Sequence, residues 1–230
     1  MPETKEQTEE HSIIFNGWSI RRLLAGGKTQ TRRVVKPQPP DHVVEVMGPQ
    51  MHSPTTTNSE GVLVPGDPVF GAFDKMGDWG AKCPYGKPGD RLWVREAFRL
   101  PGYTDELSPR EFLDIKPEAA WAFKYVTDGD SHGDEGPTGY PKGGWGCKRP
   151  PIFMPRELSR LRLRVEDVQV EQLQEITLED AIAEGIDLTI GDPPPQWDFK
   201  DIWNDIYGHG EGAWEENPWV WVVSFSKLNE

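Results

Sequence analysis

At 230 residues the chain is long enough for one good core or two small ones, and its formal net charge of −13 argues against a protein that coats nucleic acid through bulk positive charge. No apolar stretch approaches the roughly 20 residues that a membrane span needs, and no apolar run precedes a cleavage site. A cytoplasmic protein with no membrane partner is therefore expected. The only cysteines, Cys83 and Cys147, lie far apart and read as separate thiols; with scattered histidines they fall short of a zinc site, so neither a metal nor a cofactor is expected.

Met1 to Glu10 is polar, without periodicity, and reads as a disordered lead. Ser12 to Phe15 fits a strand. Asn16 then offers an N-cap for a helix from Trp18 to Ala25, with Ile20, Leu23 and Leu24 on one side and Gly26-Gly27 as its stop. Thr29 to Val35 is β-branched and alternating, which predicts a strand. From about 36 to 89 the pattern fails, and prolines and glycines mark a long insertion in which Val62–Val64 and Val69–Phe73 fit a hairpin. Arg91 to Phe98 is the next clear strand. A second irregular insertion runs from about 100 to 150, with a strand at Trp121 to Val126 and a glycine-rich run from Gly129 to Gly146. Leu161 to Leu173 alternates as a long strand bent near Asp167. Thr177 and Asp180 form a capping box for a short helix that Gly185 ends. Phe199 to Tyr207 follows as an amphipathic helix, and Trp219 to Phe225 closes the chain as a dense apolar strand. Strands outnumber helices, so the fold class expected is α+β, mostly β, as one domain from 11 to 230.

The stretch Leu23-Leu24-Ala25-Gly26-Gly27-Lys28-Thr29-Gln30-Thr31-Arg32-Arg33 holds the chemistry. A helix ends in two glycines and passes straight into a strand, a junction that lets a ligand approach the backbone because glycine lacks a Cβ. Lys28, Thr31 and Arg33 then offer an ammonium, a hydroxyl and a guanidinium to a phosphate or an amide carbonyl; a solvated basic strand edge fits the same residues. Glu184 lies on the margin of its helix stripe, about 60° from Ala181. It reads either as a carboxylate leaning over a cavity or as a solvated helix end. Arg95 and Glu96 fit a cavity lining or a buried pair that braces the strand, and Arg156 is a further candidate. Trp79, Trp145, Trp197 and Trp214 lie in glycine- or proline-rich stretches, where they stack on a base or pin loops to the body.

The order Gly26-x-Lys28-x-x-Thr31-x-Arg33 resembles the signature of the ASCH family, with Thr31 where many members carry an acid. That departure is similar to the small bacterial members that hydrolyse N4-acetylcytidine. Lys87-Pro88-Gly89-Asp90 is similar to the family's turn before a strand, Asp180 to Gly185 resembles the helix bearing the enzymes' glutamate at Glu184, and Trp219 to Phe225 resembles the closing strand. The insertions look more like longer relatives carried by phages and prophages. The resemblance implies a PUA-like antiparallel β-barrel with short flanking helices. It also implies Lys28, Thr31 and Glu184 as catalytic residues, with Arg32, Arg33, Arg95, Glu96 and Arg156 binding substrate. The function expected is an amidohydrolase of an acylated nucleobase or nucleoside. A non-catalytic module that binds RNA or a modified base stays open, and a ribonuclease is a third reading. The expected partner is a nucleoside or a short single-stranded nucleic acid, because only Arg21, Arg22, Lys28, Arg32 and Arg33 cluster on this acidic chain.

Overall fold

A computed structural model describes residues 8–43, 45–115, 123–128, 144–187, 195–208, 210 and 212–228. In chain order, β1 (Glu10–Ile14) leads into α1 (Gly17–Leu24), whose N-cap Asn16 accepts a hydrogen bond from the Ser19 N–H as expected. Ile20 and Leu23 are buried, but Leu24 is 40% exposed, so the apolar stripe of this helix is narrower than the sequence implies. The strand β2 (Gln30–Val34) follows. The first insertion then contributes β3 (Val46–His52), β4 (Thr55–Thr57), β5 (Leu63–Pro65), β6 (Val69–Asp74) and β7 (Gly80–Lys82). β8 (Arg91–Arg95), β9 (Phe98–Arg99), α2 (Pro109–Ile115) and β10 (Lys124–Tyr125) come next. They are followed by β11 (Arg162–Gln172), α3 (Leu178–Ala183), α4 (Pro195–Tyr207) and β12 (Trp219–Lys227).

The architecture is α+β, mostly strands in several sheets with few helices. Among the described residues no helix is long and apolar enough to cross a membrane. By contacts the chain forms two compact units, each assembled from three interleaved stretches. One comprises Met1–Glu9, Gly27–Arg91 and Arg164–Ser226; the other comprises Glu10–Gly26, Leu92–Leu163 and Lys227–Glu230.

In the first unit β12 lies between β2 and β11. Its pairing with β2 is antiparallel and sets Val223 opposite Thr31 and Trp221 opposite Arg33. Val220, Trp221, Val222 and Val223 are all buried, so β12 is covered on both faces, which is why its sequence is continuously apolar rather than alternating. The Lys-Pro-Gly-Asp turn is tied down by the buried Asp90, whose carboxylate accepts from the backbone N–H groups of Lys87 and Glu9. Gly89, at φ 95°, supplies the positive backbone angle of that turn. Glu9 and Glu10, assigned to the polar lead, are thus held: Glu9 by Asp90 and Glu10 as the first residue of β1.

The insertion is ordered differently from the expected hairpin. Leu63–Pro65 turns back on Thr55–Thr57 as β4–β5, because the Asn58 side chain accepts from the N–H groups of Glu60 and Val62 and closes a tight turn. β6 instead forms the centre of a three-stranded sheet between β3 and β7. Trp79 packs this insertion, buried and donating its indole N–H to the Pro37 carbonyl.

The second unit is built on a cluster of Phe98, Leu100, Phe112, Met154 and Leu158, with Leu113, Phe123 and Tyr125 against it. β10 pairs antiparallel with β9. The expected strand from Trp121 is observed only at Lys124–Tyr125. Its first two residues and the glycine-rich run 129–143 lie outside the described residues.

Candidate functional site

α3 begins with the capping box read from the sequence: Thr177 accepts from the Asp180 N–H, and the Asp180 carboxylate accepts from the Thr177 N–H and hydroxyl. Its C-terminus ends at Glu184, where helical carbonyls lack intrahelical partners. The segment entering β2 supplies them. The Thr29 N–H donates to the Ala183 carbonyl at 2.8 Å, and the Lys28 ammonium donates to the Glu184 carbonyl at 2.8 Å. The same Nζ donates to Glu184 Oε2 at 2.6 Å. Lys28 and Glu184 are each 4% exposed, so the solvated readings of both residues do not hold. They are set 156 positions apart in sequence and meet in a direct buried ion pair.

Arg32 extends the pair into a network. Its side chain is wholly buried. Nε and Nη2 donate to Glu171 Oε1 at 3.0 and 2.7 Å, Nη2 also meets Asp180 Oδ2 at 3.1 Å, and Nη1 donates to Gln30 Oε1 at 2.7 Å. Nη1 lies 3.6 Å from Glu184 Oε1, an ion-pair distance too long for a good hydrogen bond. Glu184 Oε1 is buried and has no hydrogen-bond partner. One carboxylate oxygen of Glu184 is therefore bound by Lys28, while the other keeps lone pairs for an incoming donor.

Burial pushes the Lys28 ammonium below its ordinary pKa of 10.5. Glu184 opposes that shift through charge and hydrogen bond, and the Arg33 and Arg32 charges add to it. Burial pushes the Glu171 carboxyl up against the attraction of Arg32. Burial also raises Asp180, but its bonds with Thr177 and the Arg32 charge outweigh that and leave it lowered.

Successive strand side chains point to opposite faces, so Thr31 and Arg33 take the face of β2 opposite Gln30 and Arg32. Thr31 is buried there. Arg33 hydrogen-bonds the Tyr85 phenol, which burial pushes up to about 12. The structure thus joins Lys28, Arg32 and Glu184 directly, and sets Thr31 with Arg33 and Tyr85 on the other side of the strand. Glu171, Asp180 and Tyr85 were not singled out for the site. In the sequence Asp180 signals a helix cap, Tyr85 carries no signal of its own, and Glu171 is only an acid near a strand end.

The other candidates belong to the second unit and have partners within it. Glu96 is buried, and its carboxylate accepts from Arg160 Nε at 2.9 Å and Nη2 at 3.0 Å and from the Thr127 hydroxyl at 2.7 Å. The Arg160 guanidinium lies 3.7 Å over the Tyr125 ring. Glu96 thus pairs with Arg160, not with its neighbour Arg95, which lies 4.7 Å over Trp93. Arg156 is half-exposed and forms an ion pair with Glu10. Of the four loop tryptophans, Trp79 is buried, Trp214 meets Phe199 edge to face, and Trp145 bridges to Pro101. Trp197 lies on α4 rather than in a loop and is 64% exposed. A cavity of about 680 Å³ in the first unit is lined by Gln38, Asp41, Gln172, Glu216 and Trp219 among others; none of the candidate residues lines it.

No family model, curated protein or solved structure matches the chain. Among the described residues no group of histidine, cysteine and acidic side chains is arranged to hold a metal ion.

Proposed function

We propose that the chain is an ASCH-type protein of PUA-like barrel build, and that its Lys28–Glu184 pair serves hydrolysis of an acylated nucleobase or nucleoside, with N4-acetylcytidine as the test substrate. The observation that carries this reading is the buried ion pair itself. Two residues of complementary chemistry meet at 2.6 Å, and one oxygen of the carboxylate remains without a hydrogen-bond partner. Hydrolysis of an exocyclic amide needs a base to activate water and a charge to stabilise the oxyanion. In this reading Glu184 takes a proton from water as it adds to the carbonyl carbon. Lys28 stabilises the oxygen that becomes negative, and the C–N bond breaks as the proton passes to the leaving amine. The products are acetate and cytidine. Thr31 enters through the motif alone: alternation along β2 turns it away from Arg32, so its part in the reaction is a proposal that only the substitutions below test. A neutral nucleoside suits an acidic chain, since no phosphate opposes the charge of −13.

The test is chromatographic release of cytidine from the acetylated nucleoside. Lys28→Ala and Glu184→Ala should each lower turnover by about a hundredfold or more. Thr31→Ser should retain part of the activity and Thr31→Val should not. Wild-type protein that binds the base without turnover would replace this reading with a non-catalytic binding module.

A further inference from the structure

We infer that Arg32 is a positioning residue, whose buried guanidinium holds the Glu184 carboxylate against Lys28 and does not bind substrate. The inference rests on the Lys28–Glu184 reading above. An arginine has five N–H donors in a rigid fork. Here Nε serves Glu171, Nη2 serves Glu171 and Asp180, and Nη1 faces Gln30 and Glu184, so every edge of the fork has a protein partner. With the fork so occupied no N–H of Arg32 is left over for a substrate, whereas Glu184 keeps one oxygen without a hydrogen-bond partner. The three carboxylates come from two elements, Glu171 from β11 and Asp180 and Glu184 from the start and end of α3. A single cation placed among them fixes the helix against both strands and sets the face that Glu184 turns to Lys28.

This arrangement has an electrical consequence that a plain brace would lack. The charged groups facing Lys28 are Glu184 from the end of α3 and Arg32 and Arg33 from β2, with Asp180 and Glu171 acting through Arg32. Removing Arg32 together with Glu171 keeps the local charge count but takes one of two like charges away from Lys28, the Arg33 charge remaining. Removing Glu171 alone leaves Arg32 less neutralised and strengthens its effect on Lys28. The two changes should therefore move the Lys28 ammonium in opposite directions.

The experiment follows the Lys28 Cε and Nζ resonances of lysine-labelled protein against pH, with Lys28→Arg as the assignment control. In Arg32→Gln/Glu171→Gln the midpoint should rise by about one unit. In Glu171→Gln, a milder change at a partly exposed residue, it should fall. On the acetylated nucleoside, Arg32→Lys should lower kcat with KM held within about twofold, the pattern of misplaced catalytic groups with substrate binding kept. Unchanged Lys28 midpoints in folded variants would reduce Arg32 to a brace, and a raised KM with intact kcat would make it a substrate ligand. Should the double variant not fold, the midpoint of Glu171→Gln alone decides. Should wild type show no turnover, the functional reading fails, while the titration still judges Arg32.

Discussion

Cys83 and Cys147 place the same thiol in opposite surroundings. Cys83 is buried within the insertion of the first unit, and burial pushes it from 9.0 up to about 12, whereas Cys147 is exposed. The thiolate is the reactive species, so at pH 8 the buried Cys83 should react far more slowly than Cys147. Iodoacetamide at that pH should add one equivalent, at Cys147, as read by mass spectrometry; two equivalents would show that the first unit opens around Cys83. The same scale shows the limit of sequence reading. Glu184 stood out as a candidate, but its burial depends on Lys28 and Thr29 docking on the end of its helix, a contact across about 155 positions. Alternation along β2 places Arg32 opposite Thr31, yet nothing local tells that Glu171 and Asp180 close on Arg32 and occupy its donors.

At the scale of elements, local signals were read well where local forces decide. The Asn16 cap, the Thr177–Asp180 box and the apolar β12 strand are all observed. The insertion was not legible, for a specific reason. β3 contains Gly48-Pro49, a pair that argues against a strand, and the strand tolerates it by a register shift between Met47 and Gln50. α3 offers a direct test of how far a local signal supports the site. Thr177→Ala should cost about 1 kcal/mol, seen as a lower denaturation midpoint at unchanged slope, as for a lost N-cap. Because Asp180 also meets Arg32, the loosened helix start should reach the Arg32 network as well.

For the whole molecule the revealing variable is alkaline pH. Cys83 is held up from 9.0 and Tyr85 from 10.0, both to about 12, by burial. The unfolded chain surrenders these protons first, so their contribution to stability is whole below about pH 9 and is lost as pH rises through about 12. Lys28 has the opposite sign: its lowered pKa makes stability rise with pH until the unfolded value of 10.5 is passed. Thermal midpoints should therefore drop steeply above about pH 10.5, and Cys83→Ala/Tyr85→Phe should flatten that fall; an equally steep drop in the double variant would assign it to other groups. One smaller feature bears on how such a chain tolerates so large an excursion between β2 and β8. Beyond Val35 the ladder cannot continue, since Pro37 has no N–H. The Gln38 side chain takes the place of the missing backbone, donating to the Val35 and Trp219 carbonyls and accepting from the Trp219 N–H. A side-chain amide at that point works as a selvedge, finishing the woven edge where the main thread leaves it. Lengthening, shortening or rewriting the excursion beyond Gln38 then need not unravel the strand that carries Arg32 and follows Lys28.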